Sequence, residues 1–129
     1  MEITFGEGKV VTAYSHGHII KTDQSVHSGG QDSAPSPYEL FLASIGTCTG
    51  IYVKSFCENR HIPTNNIKII QTAEFDEESG LPVNIKLDIK LPPGFPEKYK
   101  EALISVAELC KVKKTMASPP VFEVITSTE

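Results

Sequence analysis

The segment that opens at Ser36-Pro37-Tyr38-Glu39 constrains this chain more than any other. A serine, a proline at the next position and a glutamate three residues on make a helix start: serine as N-cap, proline in the first helical position, and a reciprocal capping box. From there Phe41, Ile45, Cys48, Tyr52 and Phe56 step by four, three, four and four, which is one face of a helix. Leu42, Ala43 and Ile51 widen that face, so few positions look solvent-facing before Lys54. A helix apolar nearly all round must be wrapped, by the rest of its own chain or by a second copy. Asn59 and Pro63 mark where it stops.

The flanking segments supply the wrapping. Ile3 to Phe5, Val10 to Tyr14 and Ile19 to Thr22 are short and rich in β-formers, divided by Gly-Glu-Gly and Ser-His-Gly-His turns. A loop of small residues, Ser28 to Pro35, leads into the helix. After it, Ile67 to Phe75 and the alternating Val83, Ile85, Leu87, Ile89 and Leu91 read as a hairpin with one wet face, its tip at Asp76 to Gly80. A second helix is expected from about Pro96, with Tyr99, Leu103, Val106 and Cys110 on its apolar stripe. A last strand is expected over Val121 to Thr126. The fold class is α+β, a largely antiparallel sheet packed on two main helices, and residues 1–129 read as a single domain without repeats.

The remaining signals mostly exclude. A formal net charge of -4 argues against a nucleic-acid surface, and Lys111, Lys113 and Lys114 are too few to reverse it. The N-terminus lacks the basic and apolar regions of a secretory signal, and no apolar run reads as a membrane span. Three cysteines without paired spacing make neither a disulfide framework nor a zinc ribbon, so a cytoplasmic protein with reduced thiols is the expectation. His16, His18 and His27 lack a completing carboxylate or cysteine and read as turn histidines, not metal ligands. Asp32-Ser33 reads as turn chemistry. There is no phosphate-binding glycine loop and no serine nucleophile elbow, and no cofactor is expected.

The thiols carry the functional signal. Cys48 and Cys110 each fall on an apolar stripe, so they face one core, and the small residues Gly46, Thr47, Thr49 and Gly50 leave room around the first. Cys57 lies nine positions beyond Cys48, on the opposite face of the same helix, where the two cannot bond. Cys48 sits too deep in its helix for the N-terminal dipole to acidify it. At this level a redox pair and two core cysteines both stand open.

Resemblance weighs in favour of the pair. The run Gly29-Gly-Gln-Asp-Ser-Ala-Pro-Ser-Pro-Tyr-Glu-Leu-Phe-Leu-Ala-Ser-Ile-Gly-Thr-Cys-Thr-Gly50 resembles the first signature of the OsmC/Ohr superfamily. Cys110-Lys-Val-Lys-Lys-Thr-Met116 is similar to the second, and the order of elements matches across essentially the whole chain. The likeness implies an intertwined homodimer with active sites at the subunit interface. It also implies a thiol peroxidase acting on organic hydroperoxides. Cys48 would then be the peroxidatic residue, Cys110 the resolving one, and an external dithiol the reductant. Phe41, Ile45, Tyr52 and Phe56 would line a pocket for an apolar substrate.

Two departures matter. The peroxidases of that superfamily pair an arginine from the N-terminal strands with a glutamate, whereas the only arginine here is Arg60, at the far end of the first helix. The peroxidase glutamate position falls on Tyr38; Glu39 matches the less-characterised OsmC-like branch and is the candidate catalytic carboxylate beside Cys48 and Cys110, with a capping role that also accounts for it. Lys9, Lys21, His16, His18 and His27 offer positive charge without matching the family position. The competing reading is a non-enzymatic member that binds an apolar or thiol-bearing molecule beside Cys48.

Overall fold

The computed structural model describes residues 1–128. Its elements run β1 (Glu2–Phe5), β2 (Val11–Ser15), β3 (His18–Thr22), α1 (Pro37–Glu58), β4 (Lys68–Phe75), β5 (Pro82–Lys90), α2 (Lys100–Ala107) and α3 (Lys111–Ala117), with short 3-10 turns at Val26–Ser28 and Glu97–Tyr99. This is an α+β fold with two small antiparallel sheets, β1-β2-β3 and β4-β5. The backbone forms two compact units, Met1–Ser44 and the chain from Ile45 onward.

In the first unit β2 pairs with both neighbours, and Ile3, Ala13 and Ile20 stand in register across the sheet on one face. The β2–β3 turn uses His16 at φ 49° and Gly17 at φ 81°, the left-handed pair that a tight hairpin requires. Ile3, Phe5, Ile19 and Ile20 are all exposed within the chain, so this sheet holds apolar surface that its own unit does not cover.

The loop after β3 is organised by Asp23, a residue with no sequence pattern to announce it. Its carboxylate is 1% exposed. It accepts from the Gln24 amide (2.7 Å), the Gln31 amide (3.3 Å), and both the amide (3.1 Å) and hydroxyl (2.6 Å) of Ser33. Gly30 passes so close beneath that a Cβ there would lie 2.1 Å from the Gln24 carbonyl oxygen. The Ser33 hydroxyl, followed by the Gln24 and Ser33 amides, holds the Asp23 carboxyl down at about 2 from its ordinary 3.8. A depressed carboxyl stabilises the fold fully above its ordinary value and loses that contribution as pH falls through the folded one. Hydrogen exchange at the Gln31 and Ser33 amides is therefore expected to lose protection between about pH 4 and pH 2. Unchanged protection across that window would mean that Asp23 does not hold the loop.

The start of α1 is built as its sequence predicts. The Glu39 amide donates to Ser36 Oγ at 3.1 Å, and the Ser36 amide donates to Glu39 Oε2 at 3.3 Å, closing the capping box. In the second unit Val53, Phe56 and Cys57 of α1 form a core with Phe95, Leu103 and Ala107, flanked by Ile69, Ile89 and Leu91. On the hairpin, Ile69, Gln71 and Ala73 stand opposite Ile89, Leu87 and Ile85 on one face. Gly46 and Gly50 let β4 approach the helix: a Cβ at Gly46 would meet Gln71 Oε1 at 2.5 Å, and one at Gly50 would touch Ile69 at 4.0 Å.

Three expectations need correction. The second helix does not run unbroken to Cys110: a 3-10 turn precedes α2, which ends at Ala107, and Cys110 is the N-cap of a separate α3. The break is held by the Lys113 ammonium, which donates to the Ala107 carbonyl at 2.9 Å and so caps α2 from the helix beyond it. The closing strand is absent. Val121, Phe122, Val124 and Ile125 lie outside any strand among the described residues and are 76–96% exposed. Finally, α1 does reach the length and apolar composition of a membrane span, although Val53, Phe56 and Cys57 pack into a protein core.

Candidate functional site

Cys48 and Thr49 sit midway along α1. Thr49 is 1% exposed and its hydroxyl donates back to the Ile45 carbonyl at 2.9 Å, a local bond that fixes its rotamer. Cys110 is fully buried, and its backbone (φ −48°, ψ 126°) is extended where the chain turns from α2 into α3. That turn carries the Cys110 sulfur to hydrogen-bonding reach of the Cys48 thiol. Both cysteines are free thiols, Cys48 half-buried and Cys110 buried.

Burial is the largest influence on Cys110 and pushes its thiol up. The Cys48 thiol, the backbone amides of Lys113 and Val112, and the Thr49 hydroxyl all act the other way, and together they hold Cys110 below an ordinary thiol. This is a consequence of the helix break, which puts Cys110 at the N-cap of α3, where first-turn amides without a helical partner act on its sulfur. Sequence periodicity, which placed Cys110 inside a helix, has no means of finding it. Cys57 is the opposite case. It is fully buried in the core, and burial pushes its thiol up, with Arg60 partly offsetting the effect.

Arg60 is committed elsewhere. Its guanidinium stacks 3.6 Å from the Phe56 ring centroid, lies 5.4 Å from that of Tyr99, and donates to the Phe56 carbonyl at 3.1 Å. Of the four side chains expected to line a pocket, Ile45 and Phe56 are buried in packing, and Phe41 and Tyr52 are half-buried. Glu39 is exposed and engaged in the capping box. A groove of about 440 Å³ opens between β5, α2 and α3, and Thr49 lines it. Of its apolar walls, Leu87, Ile89, Leu91 and Leu103 read in the sequence as core positions, whereas Ile104 and Ala107 carry no such signal. Among the described residues no three His, Cys, Asp or Glu side chains gather as metal ligands.

Comparison with known proteins bears on the fold. The fold is shared with an OsmC-like protein from Mycoplasma pneumoniae, at 17% identity, TM-score 0.71, with 92% of this chain and 86% of that one covered. It is also shared with a Psychrobacter arcticus 273-4 protein named for osmotic stress induction and a detoxification response, at 18% identity, TM-score 0.76, covering 88% and 85%. A Legionella pneumophila organic hydroperoxide resistance protein OsmC, further named a predicted redox protein, aligns at 19% identity, TM-score 0.54, covering 89% and 85%. No curated protein sequence matches the chain. Residues 30–125 match the OsmC-like protein family, and this span carries both cysteines of the pair, so the chain belongs to that family.

Proposed function

We propose that this chain is a two-cysteine redox protein that reduces organic hydroperoxides at the Cys48–Cys110 pair. The observation that carries the reading is the hydrogen-bonding reach between the Cys48 thiol and a Cys110 sulfur on which two amides and a hydroxyl also act. Membership of a family that includes a hydroperoxide resistance protein by name supports it.

The chemistry follows from the pair. Cys110 is held below an ordinary thiol, and on this reading its thiolate fraction is the base that takes the proton of Cys48. The Cys48 thiolate attacks the distal peroxide oxygen, the O–O bond breaks, and the alkoxide leaves as an alcohol after protonation; Cys48 becomes a sulfenic acid. Cys110, now the thiol, condenses with it, forming the disulfide and releasing water. An external dithiol then reduces the disulfide by exchange and is itself oxidised. On this reading the shared proton replaces a neighbouring arginine as the means of activating Cys48. Glu39 orders the start of α1 through the capping box.

The same reading makes the two units one domain completed by a second copy. The uncovered apolar residues of β1 and β3, the exposed Ile51 of α1 and the unpaired segment from Val121 to Ile125 are the surfaces a homodimer covers. The test is stopped-flow oxidation of the reduced protein by cumene hydroperoxide and by hydrogen peroxide, with its mass in solution fixed by sedimentation. A dimer oxidised faster by the organic peroxide, ending in a Cys48–Cys110 disulfide, is expected. Slow, unselective oxidation would remove the peroxidase reading, and a monomer at micromolar concentration would remove the dimer.

The alternative is a ligand-binding protein without turnover. It is favoured by one observation: the sole arginine is tied up on Phe56 and Tyr99. Slow oxidation in the same experiment would select it.

A further inference from the structure

The groove between β5, α2 and α3 has a chemistry of its own. At about 440 Å³ it lies within the size range of small-molecule sites. Leu103 and Ala107, 1% and 5% exposed, make a fixed inner wall, while Ile104 stands 55% exposed at the edge. The opposite wall is the apolar side of β5, through Leu87 and Ile89.

The charges around it are unequal once ion pairs are removed. Lys100 is paired with Glu97 at 2.6 Å, and Asp88 is paired with Lys90 at 2.7 Å. That leaves Lys86, Lys113 and Glu108 lining the groove with no ion pair among the described residues, and of the two ammonium groups Lys86 also acts on the Asp88 carboxylate. Lys113 donates to the Ala107 carbonyl at 2.9 Å, which aims its ammonium at the inner wall and leaves it further protons to donate.

An apolar trough with an anchored, uncompensated ammonium fits an anion with a chain. We infer that the groove binds a single-chain aliphatic carboxylate, its head on the Lys113 ammonium and its chain along Leu87, Ile89, Leu103 and Ile104. The ligand need not carry a peroxide. The inference rests on the proposed redox reading only in making the bound molecule a neighbour of the Cys48–Cys110 pair, through Thr49.

Calorimetric titration of the full chain with decanoate, decanol and decyltrimethylammonium tests it. Decanoate should bind most tightly and the cation least. Lys113→Gln, which keeps a donor for the Ala107 carbonyl, should weaken decanoate by roughly tenfold and leave decanol unchanged. Ile104→Glu, at an exposed position, should also weaken decanoate by adding a repelling charge to the groove. The inference is overturned if decanoate does not bind, if the cation binds as tightly, or if Lys113→Gln leaves decanoate unaffected. No peroxide is present, so failure here leaves the thiol chemistry standing, and failure of peroxide oxidation leaves the groove standing.

Discussion

Cys48→Ser is expected to cut consumption of cumene hydroperoxide by roughly 10³-fold or more, because it removes the attacking atom and leaves only positioning. Cys110→Ser should behave differently. The hydroxyl cannot take the Cys48 proton at neutral pH, so the first oxidation should slow by roughly 10²-fold, the low end of what a positioned base contributes. The product should then stop at the Cys48 sulfenic acid, trapped by dimedone and seen by mass, since nothing condenses with it. Because Cys110 is held below the ordinary thiol value of 9.0, the wild-type rate should rise with pH and level off before that value, where Cys110 is already deprotonated. Each departure has its own meaning. Wild-type speed in Cys110→Ser would leave Cys110 as a resolving thiol only, and retained turnover in Cys48→Ser would make Cys110 the nucleophile.

Phe56→Ala is expected to destabilise the protein by about 3–5 kcal/mol in urea denaturation, the usual cost of emptying a buried aromatic site. The residue is 4% exposed, packs in the core with Val53, Cys57, Phe95 and Leu103, and meets Tyr99 edge-on at 6.0 Å. Its loss also leaves the Arg60 guanidinium without the ring it covers. Arg60→Met keeps an apolar stem over the ring and should cost only about 0.5–1 kcal/mol, the worth of an exposed cation–π contact. The contrast separates two roles that periodicity alone confuses. A loss under about 1 kcal/mol for Phe56→Ala would mean that the ring lines an open pocket after all.

What could be read from the sequence was what local rules govern. Ser36, Pro37 and Glu39 announce the start of α1 because capping involves only neighbours, and the strict alternation after Val83 announces β5 because one face must be dry. The break before Cys110 has no such signature. Glu108-Leu109 contains neither glycine nor proline, and α2 ends there because a lysine from the next helix reaches back to its carbonyl. Val121 to Thr126 has strong β-propensity, but a strand also needs an edge to pair with, which no local rule supplies. Asp23 was missed for a related reason: a lone aspartate acquires meaning only when three backbone amides converge on it. The apolar stripes lead one to expect Cys48 and Cys110 on one core, but Cys110 lies beyond the end of α2, so its stripe is not what carries it there. The geometry that distinguishes the two sulfurs, one inside a helix and one at a cap, came only with the break.

The segment Val121 to Ile125 has a consequence for the life of the protein inside a cell. Four exposed apolar side chains on backbone that joins no helix or strand form a short adhesive tape that other chains can join and that a protease can reach first. A protomer whose tape is covered in the proposed homodimer is shielded from both fates. One left alone after synthesis, or released by dilution, is open to clearance while its core is still intact. The abundance of such a protein would follow how quickly its copies find one another as much as how firmly each is folded.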